Sequence, residues 1–575
     1  MTKRTALTIV RKEGGQRRRR SPALALQRVN AVVVGSGAGG GVVAKELAEA
    51  GLTVVVLERG RWPVYDEHSD DELISQRTSV LGNAFGPDNR RNPRVIVNSD
   101  GTSKTVLANE GAYINVAACV GSGTASYGAM AWRFMPQDFE MRSIYGRPEG
   151  STLEDWPITY NDLEPCYEKA EWEIGVAGDD SANPFAGPRN KSRPMPAFAY
   201  GKEGKRIEAA ALRLGLHPFP IPMLRNSIPY GGRPACIHMR SCVGFACPVD
   251  AKCGTQNTVL RVALATGHCE VRTDAMASEV MIDDKGHALG VKYFDEHDQL
   301  QVQLADVVVL SAGAIETARL MLNSRSRLFP NGAGNNNDWV GRNLQNHARF
   351  NTRGFAEDDV YEEAGPGACV AFSDFNHGNP GLRGGAVVTT DFIPLPYLYT
   401  NLRPPGSARW GKAHKEFQRR NYKRTMCLQG PVQEMPVFDS RIQADPTVKD
   451  HWGIPVARLS GHRHPHDIEI ARFIVKKAEA VLKEAGATDT WTNVPSPGLS
   501  GGQHPAGTCR MGNDPHTSVT NRYGQVHEID NLFVADGSLH PTNGGFNPAL
   551  TIMALGYWVG GYIAKEWQGT RFRST

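Results

Sequence analysis

The sequence predicts an α/β chain of more than one domain, and three observations carry that reading. At 575 residues the chain is too long for one simple core, so two domains or one interleaved pair are expected. Residues 30–60 read as strand, glycine-rich turn, helix and second strand. Residues 531–567 read as a short buried strand, a glycine-rich loop and a long apolar helix.

The N-terminal unit is "NAVVVGSGAGGGVVAKELAEAGLTVVVLERG". The β-branched run Ala31 to Val34 has the character of a buried parallel strand. Gly35 permits the tight turn, Gly37 lets a pyrophosphate approach the backbone, and Gly40 lets helix and strand pack closely. Val42, Val43, Leu47 and Ala50 recur on one helical face, and Gly51 stops the helix. "TVVVLE" is the second strand. It ends at Glu58, whose carboxylate suits ribose hydroxyls. A lone glycine motif is weak, but strand, turn, helix, strand and acid occur here in register, so dinucleotide binding is expected. The motif does not separate FAD from NAD.

At the other end, "NLFVAD" is a strand finishing at Asp536-Gly537, and the loop after it leads to Asn547-Pro548 and the apolar helix. Proline fits a first helical turn, which places the helix start at Asn547. The free N–H groups there would stabilise negative charge. His504 in "GGQHPAGTCRMG" precedes a turn, and a neutral imidazole can accept a hydroxyl proton near neutral pH.

Composition excludes several classes. The formal charge is +4, but residues 1–30 carry nine basic residues against Glu13. That leaves the tail at +8 and the rest at −4. A mildly acidic body argues against nucleic-acid binding. No apolar run approaches the ~20 residues of a membrane span. Residues 1–28 read as a flexible basic extension, because "SPALALQ" is too short and interrupted for an export signal. Cytoplasmic localisation is the default expectation.

These stretches together resemble the glucose–methanol–choline (GMC) oxidoreductases, which bind FAD. The resemblance extends through "VGSGTASYGAMAWRFMPQDF" (120–139), "DWPITYNDLEPCYEKAE" (155–171), "DVVVLSAGAIETARLMLNS" (306–324) and "WVGRNLQNH" (339–347). It implies a Rossmann-like FAD-binding domain interleaved with a substrate domain built on a mainly antiparallel sheet packed with helices. The FAD domain would span 29–347 with substrate-domain insertions near 60–105 and 180–235. The substrate domain would follow at 348–495, and 496–575 would return to the FAD domain.

The resemblance also implies roles. His504 would take the proton of a substrate hydroxyl, Asn547 would hold its oxygen, and hydride would pass to flavin N5. Cofactor contacts would come from Gly35, Gly37, Ala38, Gly40, Glu58 and Arg59, from Gly121, Gly123, Thr124 and Ser126, and from Asp536, Gly537, Asn547, Pro548 and Thr551. Some members tether FAD through a histidine where this chain has Ser126, so noncovalent FAD is expected.

"Q…P…SRI…D…KDxWGIPV" resembles bacterial pyranose and glycoside oxidases and gluconate-dehydrogenase-like subunits. A sugar, glycoside or polyol is therefore the expected substrate, with oxygen or another acceptor taking the electrons. Three alternatives stand beside it: an oxidase or dehydrogenase of aliphatic, aromatic or sterol alcohols; the catalytic subunit of a membrane-associated sugar dehydrogenase complex with Fe–S and cytochrome partners; and a lyase. Gln433 is a candidate substrate contact or a structural strand residue. The segment 389–405 is a candidate pocket wall, lid or oligomer contact. A homo-oligomer or an electron-accepting partner is compatible with the sequence.

Cys236, Cys242, Cys247 and Cys253 raise the question of a cluster. Their spacing departs from the three-iron pattern of some family members and contains no CxxC pair. Structural thiols or one local disulfide are expected, with an iron–sulfur cluster as the alternative. His462, His464 and His466 match no closed ligand pattern and read as a turn into a helix. No metal site is expected.

Overall fold

The computed structural model describes residues 27–567, apart from positions 69, 79, 83, 115, 116, 180, 182, 362 and 363. Most of the predicted basic extension therefore lies outside the described residues. Arg28 lies within them and pairs with Asp306 at 3.0 Å.

Three sheets form among the described residues. The first has a parallel core in the order Cys269–Arg272, Val54–Leu57, Val29–Val34, Leu300–Leu310 and Leu532–Val534. Val29–Val34 is buried almost throughout, which is why it reads as a continuous apolar run. The N-terminal half of Leu300–Leu310 instead continues into an antiparallel meander with Ala288–Phe294 and Met276–Ile282.

The second sheet is antiparallel, in the order Thr490–Asn493, Ala348–Phe355, Thr425–Val432, Val388–Thr390, Val370–Phe372 and Phe219–Pro220. Helix Pro465–Glu484 covers one face, burying Ile470, Ile474, Ala478 and Leu482 with Phe350, Met426 and Leu428. Strand alternation then turns Arg349 and Gln429 to the opposite face. The third sheet joins Arg94–Val97 and Ser103–Val106 to Arg441–Lys449 and Pro455–Ser460. It lies beside helix Ala314–Asn323.

The C-terminal helix Ala549–Tyr562 packs between Gly40–Glu49 and Tyr160–Ala170. Leu550, Met553, Leu555 and Val559 are fully buried, each stabilising the fold by roughly 1.5–3 kcal/mol. A helix apolar all round is a core helix, and the small residues Gly556 and Gly560 let it approach Val42, Val43 and Glu46. The helix starts later than the sequence suggested: Pro548 is its cap, and its carbonyl accepts the first bond, from Ile552 N, at 2.9 Å. Asn547 thus precedes the helix, and its side chain is engaged elsewhere. No helix among the described residues is long and apolar enough to cross a membrane.

The three histidines at 462–466 form the turn and cap of Pro465–Glu484. His464 Nδ1 accepts from His466 N at 3.2 Å, and His466 Nε2 accepts from Arg383 N at 2.8 Å. The four cysteines are free thiols, so the local disulfide is not formed. Cys253 is buried between Asn226 and Arg233.

Candidate active site

A cavity of about 320 Å³ opens at the C-terminal ends of the parallel strands, where open α/β sheets bind ligands. Its wall includes Gly35, Gly37, Ala38, Glu58, Arg59, Gly123, Thr124, Ser126, Asp536, Gly537, Asn547, Pro548 and His504. Three stretches far apart in sequence thus meet at one site. Gly40, Gly121 and Thr551 do not line it. Gly40 serves packing, since a Cβ there would lie 2.0 Å from Gly35 O. Gly121 has a positive φ of 90° and abuts Gln256. Thr551 is buried, with its hydroxyl 2.8 Å from that of Tyr167.

The nucleotide end is preorganised. Glu58 Oε2 accepts from Ser36 N at 3.1 Å and from Ser36 Oγ at 2.7 Å, and Oε1 accepts from Gly60 N at 3.0 Å. Burial raises this carboxyl above its usual range, against those bonds. Asp536 accepts from Gly313 N (2.9 Å), Thr317 Oγ1 (2.6 Å) and Ser538 N (2.8 Å), tying the last strand to the loop after Leu310. A Cβ on Gly123 or Gly313 would meet nothing within 4 Å, so both glycines border open cavity. The helix N-terminus after Gly39 presents free N–H groups to an anion. This donor set and the bare glycine wall fit a dinucleotide.

At the other end an antiparallel bridge sets the chemistry. Gln345 and Ala506 exchange N–H···O bonds at 3.0 Å in both directions. Two residues further on each strand, His347 comes opposite His504. His347 Nε2 lies 3.0 and 2.9 Å from the carbonyls of Asn543 and Gly544. Carbonyls only accept, so Nε2 carries the proton and Nδ1 of His347 is a lone pair. His504 Nδ1, 2.8 Å away, must then donate. By elimination His504 Nε2 bears the free lone pair that a base needs.

That nitrogen is faced by two donors, Asn547 Nδ2 and Arg349 Nη2, each at 3.4 Å. Trp132 Nε1 donates to Asn547 Oδ1 at 3.1 Å, which turns the amide so that its NH2 points at His504. The backbone of His504 is fixed as well. Its N–H donates to Asn346 Oδ1 at 3.1 Å, and its carbonyl accepts from Asn543 Nδ2 at 2.9 Å. Glu434 accepts from Asn346 N at 2.9 Å and from Arg463 at 2.8 Å, bracing this loop from behind. Burial, then the Arg349 charge and then His347 hold the His504 pKa well below the usual imidazole value. Burial likewise lowers His347 to about 4. Both rings are neutral at physiological pH.

Sequence reasoning missed His347, Arg349, Trp132 and Asn543. The first two sit in and beside "WVGRNLQNH", a stretch already singled out, but only the fold brings them to His504. Gln429, not Gln433, reaches the cavity. Gln433 is buried against Gly384 and lies outside the cavity wall. Asp391 and Phe392, from the segment 389–405, do line it.

Family models described as GMC oxidoreductase match residues 142–349 and 436–556. The chain is 30% identical to 6'''-hydroxyparomomycin C oxidase of Streptomyces lividus, over 91% of this chain and 89% of that one. It is 29% identical to 2-methyl-1,2-propanediol dehydrogenase of Mycolicibacterium austroafricanum, over 94% and 96%. Among solved structures, Aspergillus oryzae formate oxidase superposes with a TM-score of 0.62 at 14% identity, over 95% of this chain and 99% of that one. The chain belongs to the GMC oxidoreductase family of flavin enzymes acting on CH–OH groups.

Proposed function

We propose that this enzyme oxidises a secondary or primary hydroxyl of a sugar, glycoside or polyol to a carbonyl, using noncovalently held FAD. The observation that carries the substrate class is the polar lining at the reacting end: Arg349, Asp391, Gln429 and Gln503 surround His504 and Asn547. An aliphatic or sterol alcohol would leave those groups unpaired in a desolvated site. The two relatives above are named for a diol and for hydroxyparomomycin.

Cavity-lining residues of the glycine-rich turn, Glu58, the 122–126 loop and Asp536 would hold the cofactor. FAD, when bound, supplies the hydride acceptor. Asn547 Nδ2 orients the substrate oxygen, and His504 Nε2 takes its proton. His347 keeps His504 in the tautomer that leaves Nε2 free, and the 345–506 bridge fixes the distance between the two rings. His504 is the one histidine lining the cavity among the described residues. Ser126 donates instead to Gln76, which supports a cofactor held without a covalent link. Electrons then leave to oxygen or another acceptor.

An anaerobic panel tests this reading. Sugars, glycosides and polyols should bleach the flavin absorbance, and long-chain or sterol alcohols should not. Bleaching by the apolar alcohols alone would replace the substrate class, and no bleaching by any alcohol would end the reading.

A further inference from the structure

The two most exposed large apolar side chains among the described residues are Trp410 (84%) and Leu81 (68%). Neither has a role in the site above, yet both belong to segments that meet beside the cavity. Glu72 accepts from Tyr397 N at 2.8 Å and from Leu398 N at 2.7 Å, joining the segment before Leu81 to helix Pro396–Tyr399. Tyr399 in turn stacks on Phe417 of helix Gly411–Asn421, with ring centroids 6.4 Å apart. Glu72, Leu395 and Leu398 line a small recess that shares Arg77, Val243 and Phe392 with the main cavity.

The helix after Trp410 is two-sided. Residues three and four apart share a helical face. His414, Phe417, Gln418 and Asn421 are its sheltered positions, so they face the body. Lys412, Lys415 and Arg419 fall on the opposite side and are exposed. With Arg409 and Arg420 they make five exposed cations in residues 409–420, against Glu416 alone. Of the five, Lys412 alone is ion-paired among the described residues, to Glu416 at 3.7 Å. Residues 31–575 sum to −4 with this patch included, so it stands on a body that is otherwise acidic.

We propose that this face docks, without crossing, on the surface of an anionic phospholipid bilayer. Trp410 and Leu81 sit at the headgroup boundary, and the cations of residues 409–420 lie over the lipid phosphates. Charge complementarity names the occupant. An indole is apolar with one polar N–H and settles at membrane interfaces. Each Lys or Arg close to an anionic leaflet adds to the attraction. Charge and apolar insertion together supply the two signals that lasting peripheral attachment takes. A second copy of the chain fits less well, because a two-fold contact sets a patch against itself and would bring the cations together. Docking on this face brings the bilayer next to the segments that wall the cavity, Phe392 among them.

The test is sedimentation of the full-length holoenzyme with vesicles of mixed phosphatidylglycerol and phosphatidylcholine, and with phosphatidylcholine alone. The native protein should bind the anionic vesicles, release them in high salt and ignore the neutral ones. Lys412→Glu combined with Lys415→Glu should weaken binding by ~100-fold or more, and Trp410→Ala by ~10-fold. These side chains are exposed, so FAD content, Tm and turnover in solution should stay native. Bromine-labelled lipid should quench more tryptophan fluorescence in the native protein than in Trp410→Phe. The basic N-terminal sequence is a separate source of attraction to anionic lipid. Binding that survives both sets of substitutions, with no quenching of Trp410, belongs to that segment and overturns the proposal. Equal binding to neutral vesicles, or no binding to either, also overturns it. A dimer that forms without vesicles and dissociates in Trp410→Ala would name a second copy as the occupant instead. Retention on immobilised polyglutamate with no binding to vesicles would name an acidic protein, and either result overturns the bilayer.

Discussion

A histidine becomes a useful base only when one nitrogen is reliably free. Here that is settled by two carbonyls on His347, which fix its tautomer and, through the 2.8 Å bond, that of His504. His504→Ala should retain the FAD spectrum and lower kcat by ~10²–10⁴-fold, the usual range for a general base. His347→Leu removes the acceptor of the His504 Nδ1 proton. It should lower kcat by ~10–100-fold, with a smaller change in KM, the size expected when an orienting partner is lost. The pH profile separates this role from general damage. With the His504 pKa well below 6.5, kcat/KM should stay flat as pH falls from 8 through 6. In Arg349→Gln, loss of the neighbouring charge should move the acid limb upward in pH. An unmoved limb would mean that Arg349 does not face His504 in solution.

At the level of elements, the glycine-rich turn does two separable things. A Cβ on Gly39 would lie 1.7 Å from Ala535 O, where the turn meets the end of the last parallel strand. Gly39→Ala should therefore destabilise the fold itself, by roughly 3 kcal/mol or more, visible as a lowered Tm without FAD. A Cβ on Gly37 would meet only the Ser122 side chain, Cβ at 3.1 Å and Oγ at 3.6 Å, while filling the cavity wall. Gly37→Ala should cost FAD affinity by ~10-fold or more and leave the apo Tm within a few degrees. Flavin titration and thermal melts distinguish the two. The turn was legible in sequence because its glycines, strand and helix are local. The role of Gly39 was not, because its partner Ala535 arrives from the far end of the chain.

For the whole molecule, stability should depend on pH from both sides. His347 and His540 are buried with pKa values lowered to about 4, and His504 is lowered too. A depressed histidine pKa contributes stability that is complete above the unfolded value of 6.5 and is lost as pH falls through the folded value. Each of the first two then costs roughly 3 kcal/mol once fully protonated. Holding FAD constant, Tm should fall steeply between pH 6 and 4. Glu203 acts oppositely. Burial raises it to about 8 beneath the second sheet, where it accepts from Cys427 N at 2.8 Å. Its contribution is full below 4.5 and is lost as pH rises through 8. Glu203→Gln should accordingly raise Tm at pH 9 relative to the native protein and change it little at pH 5. A native Tm that does not change between pH 6 and 4 would mean the imidazoles are not held neutral by the fold.

By itself the sequence determined the α/β class, the dinucleotide turn with its acidic partner, the apolar closing helix and the candidacy of His504 and Asn547. Each is a local pattern whose physical cause lies within a few tens of residues. Tertiary structure alone decided how those pieces act. His347 and His504 are 157 residues apart, and Trp132 and Asn547 are 415 apart. The bridge at Gln345 and Ala506 and the alternation of the second sheet bring His347 to Nδ1 and Arg349 to Nε2 of the one His504 ring. A tautomer and the charge set beside it are properties of neighbours in space, and no periodicity in the chain encodes them.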